Sequence, residues 1–125
     1  MQPASLTASP SSTRPTVRVG LLWHSPNSGN LGVGALTVAN IALIDAAADR
    51  AGVIAEYTIL GFRDPGVPDY VSHPRVTVMP LSGRALLPGG GYGAALRRLD
   101  VVIDIGGGDS FADIYGAKRF AYLMA

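Results

Sequence analysis

The sequence has no cysteine among its 125 residues, which excludes both a disulfide framework and a thiolate zinc site. Histidine is nearly absent too: His24 and His73 stand far apart without ligand spacing, so neither a metal centre nor a bound cofactor is expected. Charged residues make up only 15 % of the chain and the formal net charge is +1. The ten basic residues are scattered, with only Arg97-Arg98 and Lys118-Arg119 side by side. A nucleic-acid surface needs a basic stripe, so no nucleic-acid partner is expected. No uninterrupted apolar run reaches the ~20 residues of a membrane span. The opening MQPASLTASPSSTRPT has no apolar h-region and reads as a disordered tail over residues 1–16, not a secretory signal. A cytoplasmic location follows as the expectation.

What the chain does have is alternation of strand and helix patterns. Val17–Trp23 reads as a first strand, apolar enough for a central parallel position covered on both faces. A loop rich in Gly, Asn and Ser runs from His24 to Gly34. A helix is then expected over Ala35–Ala51, with Leu36, Ala39, Asn40, Leu43 and Ala47 on its apolar face and Gly52 as its stop. Further strands are read at 53–60, 75–79 and 101–105. A short helix is read near Tyr92–Arg98 and a last one over Ser110–Ala125. The pattern predicts an α/β doubly wound parallel sheet with right-handed crossovers. In the strand order 3-2-1-4 the first and fourth strands are neighbours, and their outgoing loops border one crevice. Phe111, Tyr115, Phe120 and Leu123 continue an apolar helical pattern to Ala125 with no cap. The chain therefore reads as the N-terminal piece of something longer, able to self-associate through that helix.

Two loops carry candidate chemistry. The first, Pro26 to Gly34 (PNSGNLGVG), has the spacing G-x-x-G-x-G, unlike the G-x-G-x-x-G of dinucleotide folds. No acidic residue ends the second strand (Thr58-Ile59-Leu60-Gly61), which argues against a nicotinamide or flavin domain. The second is VVIDIGGGDSFADIYG, residues 101–116. Here a buried strand runs through a glycine turn into two carboxylates, Asp109 and Asp113, spaced i, i+4. Asp109 sits where a phosphate cradle would offer only amides, which points to hydroxyls, a proton to be abstracted or a cation.

Each candidate also has a structural reading. Asp109 is placed either to cap the last helix or to act on substrate, and Asp113 lies where the helix dipole favours a carboxylate anyway. Asp104 interrupts an apolar strand and is expected to tie down loop amides. Asn30 either orients the glycine loop or binds a sugar hydroxyl, and Asn40 reads as a satisfied core amide. His24, at the rim of the crevice, is a candidate general acid or base. His73 reads as merely solvated. Trp23 and Tyr115 carry rings that stack on a sugar or fill core.

The pair GNLGVGALTVANIAL (Gly29–Leu43) and DIGGGDSFADIYG (Asp104–Gly116) resembles the polysaccharide pyruvyl transferase family. The resemblance spans about Val17–Ala125, the N-terminal half of the family's length. It implies a Rossmann-like domain of a GT-B-type two-domain architecture, with the C-terminal domain outside this chain. It further implies transfer of a pyruvyl group from phosphoenolpyruvate to a sugar of a polysaccharide or its precursor, forming a ketal and releasing phosphate. Catalytic roles would fall to Asp109 and His24, and substrate binding to Asn30, Gly32, Gly34, Gly107, Gly108, Asp113 and Tyr115. The family commonly has Asn-x-Gly-Asp in the first motif, and Val33 stands here in place of that Asp. The basic residues holding phosphoenolpyruvate come mostly from the family's C-terminal domain, so the fragment alone is expected to be inactive. A nucleotide-sugar glycosyltransferase of similar fold and a non-catalytic sugar-binding module remain as alternatives.

Overall fold

A computed structural model describes residues 14–106. The expected helix over Ser110–Ala125 and the candidates Gly107, Gly108, Asp109, Asp113 and Tyr115 lie outside the described residues. The elements are β1 (Thr16–Leu22), α1 (Leu31–Ala51), β2 (Ile54–Gly61), β3 (Val76–Pro80), α2 (Tyr92–Arg97) and β4 (Val101–Asp104). The four strands form one parallel sheet in the order β3-β2-β1-β4. The mixed α/β class and the adjacency of β1 and β4 are as expected, and the sheet is compatible with a Rossmann-like fold.

The strand register decides which face each side chain serves, because successive residues alternate across the sheet. Val19 aligns with Tyr57 and Val101, and Tyr57 with Val76. Leu21 aligns in the same way with Ile59, Ile103 and, across β2, Val78. Apart from the exposed Val101, these rows face α1 and form a core with Ile41 and Ala48. Leu21 and Ile59 are wholly buried, each contributing about 1.5–3 kcal/mol relative to an exposed position.

The second face differs. Its upper rows, Leu22, Leu60 and Met79, pack with Trp23, Leu81 and residues of α2. Its lower rows carry Arg18 beside Glu56, then Gly20, Thr58 and Thr77 in line. The expectation that β1 is central and covered on both faces holds from Val19 to Leu21, buried in succession with Leu99 over Gly20, and fails at the exposed Arg18. A six-residue α2 is too short to roof the whole face, and the lower half is polar.

Helix α1 begins at Leu31, four residues before the expected start, so Gly32 and Gly34 lie in its first turn and not in a loop. Asn30 is the N-cap: its Oδ1 accepts from the N–H groups of Gly32 (3.0 Å) and Val33 (3.4 Å). Gly52 closes the helix in the left-handed conformation, φ 71°, as expected of a stop glycine. The buried face is another correction. Gly34, Thr37, Ile41 and Ala48 point inward, while Leu36 and Leu43 of the expected stripe are exposed along with Leu31 and Val38. A helix apolar all round gives periodicity no face to choose. The same composition amends the expectation about spans: α1, at 21 residues and mean hydropathy 1.7, is long and apolar enough to cross a membrane by those measures. Its inner face nevertheless lies on the sheet.

His73 is not simply solvated. Its Nε2 donates to Asp45 Oδ2 (2.7 Å), its Nδ1 accepts from the Arg75 N–H, and its ring meets Tyr57 edge-on at 5.4 Å. Asp45 also accepts from the Tyr57 hydroxyl at 2.6 Å, and Arg75 lies 3.5 Å away. Burial pushes the Asp45 pKa up, but the Tyr57 and His73 hydrogen bonds and the Arg75 charge outweigh it and hold the group below its ordinary value. The cluster clasps α1 to the chain entering β3.

Candidate functional site

Leu22 and Asp104 are register partners at the ends of β1 and β4, so the two motif segments leave the sheet side by side. Asp104 Oδ1 accepts the Gly106 N–H at 2.7 Å, the loop-tying role expected of it. At the other exit Trp23 has φ 65°, a conformation rare for a bulky residue and costing about 1–3 kcal/mol. Its N–H still donates to Leu60 O at 2.9 Å, and its buried ring lies 5.8 Å from that of Phe62.

After Trp23 the chain turns inward, and His24, Ser25, Pro26 and Asn27 are all buried. Buried polar groups need partners, and these have them. The Ser25 N–H donates to Thr37 Oγ1 (3.1 Å), whose hydroxyl donates to Val33 O (2.8 Å). Asn27 Nδ2 donates to the carbonyls of Asp64 (3.0 Å) and Val67 (2.8 Å), and its Oδ1 accepts the Asp64 N–H (3.0 Å). The loop after β1 is thereby fastened to the loop after β2. Gly61 permits the close approach, since a Cβ there would overlap the His24 carbonyl oxygen.

Between these loops lies a crevice of about 210 Å³, bordered by His24, Ser25, Ser28, Asn30, Val33 and Asp64, with Trp23 and Phe62 as its apolar wall. That is below the ~300–1,000 Å³ usual for drug-sized ligands, so it suits one portion of a ligand. Asp64 supplies its carboxylate; Oδ2 accepts the Gly29 N–H at 2.6 Å. Among the described residues, no arginine or lysine lines it. Hydroxyls, an amide and one carboxylate suit a hydroxyl-rich ligand better than a strongly anionic one. Among the described residues, no group of three His, Asp or Glu side chains is placed to hold a metal ion.

The expected site residues fare unequally. His24 lies at the end of β1 but is completely buried, and both ring nitrogens are engaged. Nδ1 donates to Leu22 O (2.9 Å), and Nε2 accepts from Asn40 Nδ2 (2.8 Å), a tautomer assigned from these partners. Burial pulls its pKa down, against the opposing effects of the Leu22 carbonyl and the Asp104 charge. A neutral ring with no free nitrogen is a structural element, so the acid–base role expected of His24 is withdrawn. Asn40 is the half-buried satisfied amide it was read to be.

Asn30 borders the crevice, but its side-chain oxygen caps α1. The Gly32 N–H is consumed by that cap, and the Gly34 N–H donates to Asn30 O at 3.1 Å. Neither glycine offers an amide to a ligand in this arrangement. Gly34 instead admits Tyr70, whose hydroxyl a Cβ would overlap and which donates to Ser28 O at 3.3 Å.

Asp64 was missed. It lies three residues beyond β2, in the turn Arg63-Asp64-Pro65-Gly66, where it reads as an ordinary turn former. Its contact with Gly29 joins residues 35 apart, which no local pattern encodes. Val33, standing where the resembled motif has Asp, borders the same crevice as Asp64. No protein-family model, curated protein or solved structure matches the chain.

Proposed function

We propose that this chain is the N-terminal, acceptor-binding part of a pyruvyl transferase-like enzyme of two facing Rossmann-like domains. The observation that supports this best is the pairing of Leu22 with Asp104, which starts both motif segments from neighbouring strand ends. In this reading the crevice takes a sugar of the acceptor through Asn30, Asp64 and the serine hydroxyls. Asp109 takes the proton from the first attacking hydroxyl, the methylene carbon of phosphoenolpyruvate gains a proton to become a methyl group, and a second hydroxyl of the same sugar displaces phosphate, which carries off its proton, to close the ketal. His24 has no proton-transfer role and only braces the loop after β1. With no cation bordering the crevice among the described residues, charge stabilisation at the phosphoenolpyruvate phosphate and carboxylate falls to another part of the enzyme.

One observation favours a second reading. Asp64 stands just beyond β2 and next to the glycine loop, the quarter in which nucleotide-binding α/β folds place a ribose-binding carboxylate. A nucleotide-sugar glycosyltransferase would use Asp64 in that way. The protein in its full native reading frame, offered carbon-labelled phosphoenolpyruvate and, separately, a panel of labelled nucleotide-sugars, tests both. Label passing from phosphoenolpyruvate to a sugar with release of inorganic phosphate is the expected result. Label passing from a nucleotide-sugar would establish the second reading, and transfer from neither donor would leave a sugar-binding module.

A further inference from the structure

A second cavity, a groove of about 770 Å³, lies on the sheet face turned away from α1. It is separate from the crevice and stands whatever the crevice binds. Its floor is the polar lower half of that face: Arg18 and Glu56 in register, then Thr58 and Thr77 in register. Arg98, at the end of α2, forms its opposite wall with Leu99. A sheet face meant to seat an apolar helix would repeat the Val, Leu and Ile rows of the face under α1. This one carries charge and hydroxyls on three adjacent strands instead.

The charges here are not used up by the fold. Among the described residues neither Arg18 nor Arg98 is ion-paired, although Glu56 is the register neighbour of Arg18. The carboxylate of Asp100 is committed to the Arg18 backbone N–H at 2.8 Å. Arg75, at the groove's edge, is occupied by Ala55 O and Asp45. The Arg18 guanidinium donates to the Arg98 backbone carbonyl at 3.5 Å, and both arginines line the groove. One guanidinium fork satisfies a carboxylate, whereas two arginines lining one groove suit the extra charge and oxygens of a phosphate. Glu56 and Thr58 beside them supply acceptors and a donor for hydroxyl groups. The volume is in the range of small-molecule sites.

We propose that this groove binds a small hydroxylated organic phosphate, with its phosphate between Arg18 and Arg98 and its hydroxyls on Glu56 and Thr58. The test is an amide NMR titration of the isotope-labelled 125-residue chain with glucose 1-phosphate, inorganic phosphate and glucose as separate probes. Glucose 1-phosphate is expected to give saturable shifts at Arg18, Thr58 and Arg98, and to bind more tightly than either other probe. Arg18→Gln and Arg98→Gln should each weaken it about tenfold or more, the scale of a lost charge-assisted hydrogen bond. Glu56→Gln should weaken glucose 1-phosphate while strengthening inorganic phosphate, because it removes a hydroxyl acceptor and a repelling charge together. All three side chains are exposed, and an unchanged spectrum of each free variant shows that the fold is kept. Absence of saturable shifts, shifts centred on Asn30 and Asp64, equal binding of unphosphorylated glucose, or an affinity untouched in the double arginine variant would each overturn the proposal.

Discussion

Asn27→Ala should loosen the crevice by cutting its two loops apart. Asn27 is 3 % exposed and makes three side-chain bonds of 2.8–3.0 Å to the backbone of Asp64 and Val67. Each such bond contributes about 1 kcal/mol net. The partners are only partly buried, so water recovers some of the loss, and the expected destabilisation is about 2–3 kcal/mol. At about 3–5 °C per kcal/mol for a chain of this size, the melting temperature should fall by about 6–15 °C. Asn27→Asp is the sharper variant. It keeps the shape and the acceptor but sets a carboxylate against two carbonyl oxygens, so it should cost at least as much as alanine. Denaturant unfolding gives the free energies. Hydrogen exchange adds the location, since the Asp64 and Tyr70 amides, the latter bonded to Pro26 O at 3.0 Å, should lose protection before the strands do. A loss under about 1 kcal/mol for alanine, or an aspartate variant as stable as the parent, would show that Asn27 only fills space and that the loops are held by other means.

His24 should stay neutral as pH falls below 6.5, because its folded pKa is depressed while the unfolded chain titrates normally. The unfolded state then binds the extra proton, so stability is lost as pH drops from 6.5 towards the folded pKa; a ring resonance titrating at or above 6.5 would contradict this. Gly61→Ala should cost about 3 kcal/mol, the upper range for overpacking, since the obstacle is the His24 backbone; a melting curve within a degree or two of the parent would refute the close approach. In the full reading frame, Asp109→Asn should lower transfer by about 10²-fold or more, with a stability change of roughly 1 kcal/mol or less. Normal turnover with a clear drop in melting temperature would make Asp109 a cap and nothing else.

The strands were legible because β-branched runs broken by Gly and Pro leave little choice of element, and sequential α/β alternation leaves little choice of order. The start of α1 was not. Gly32 and Gly34 each weaken a helix by about 1 kcal/mol relative to Ala, and read locally they look like loop. The Asn30 cap and the long Ala- and Leu-rich stretch that follows outweigh that cost, and Tyr70 explains why one glycine is there. The polarity of the second sheet face was written in Arg18, but a single charge in an apolar strand shows its meaning only once Glu56, Thr58 and Thr77 are set beside it by register. His24 shows the converse. Its position at the strand end was right, yet burial and two hydrogen bonds decide its chemistry, and neither is a local property.

The single tryptophan of the chain is the residue held at φ 65° on the crevice wall. Excited at the red edge of the indole band, where tyrosine is dark, the protein therefore carries one built-in fluorophore at the place a ligand would enter. Its emission colour reports local wetting, and its quenching by a small neutral quencher reports access from solvent. Sugar panels can thus be screened on the unlabelled chain.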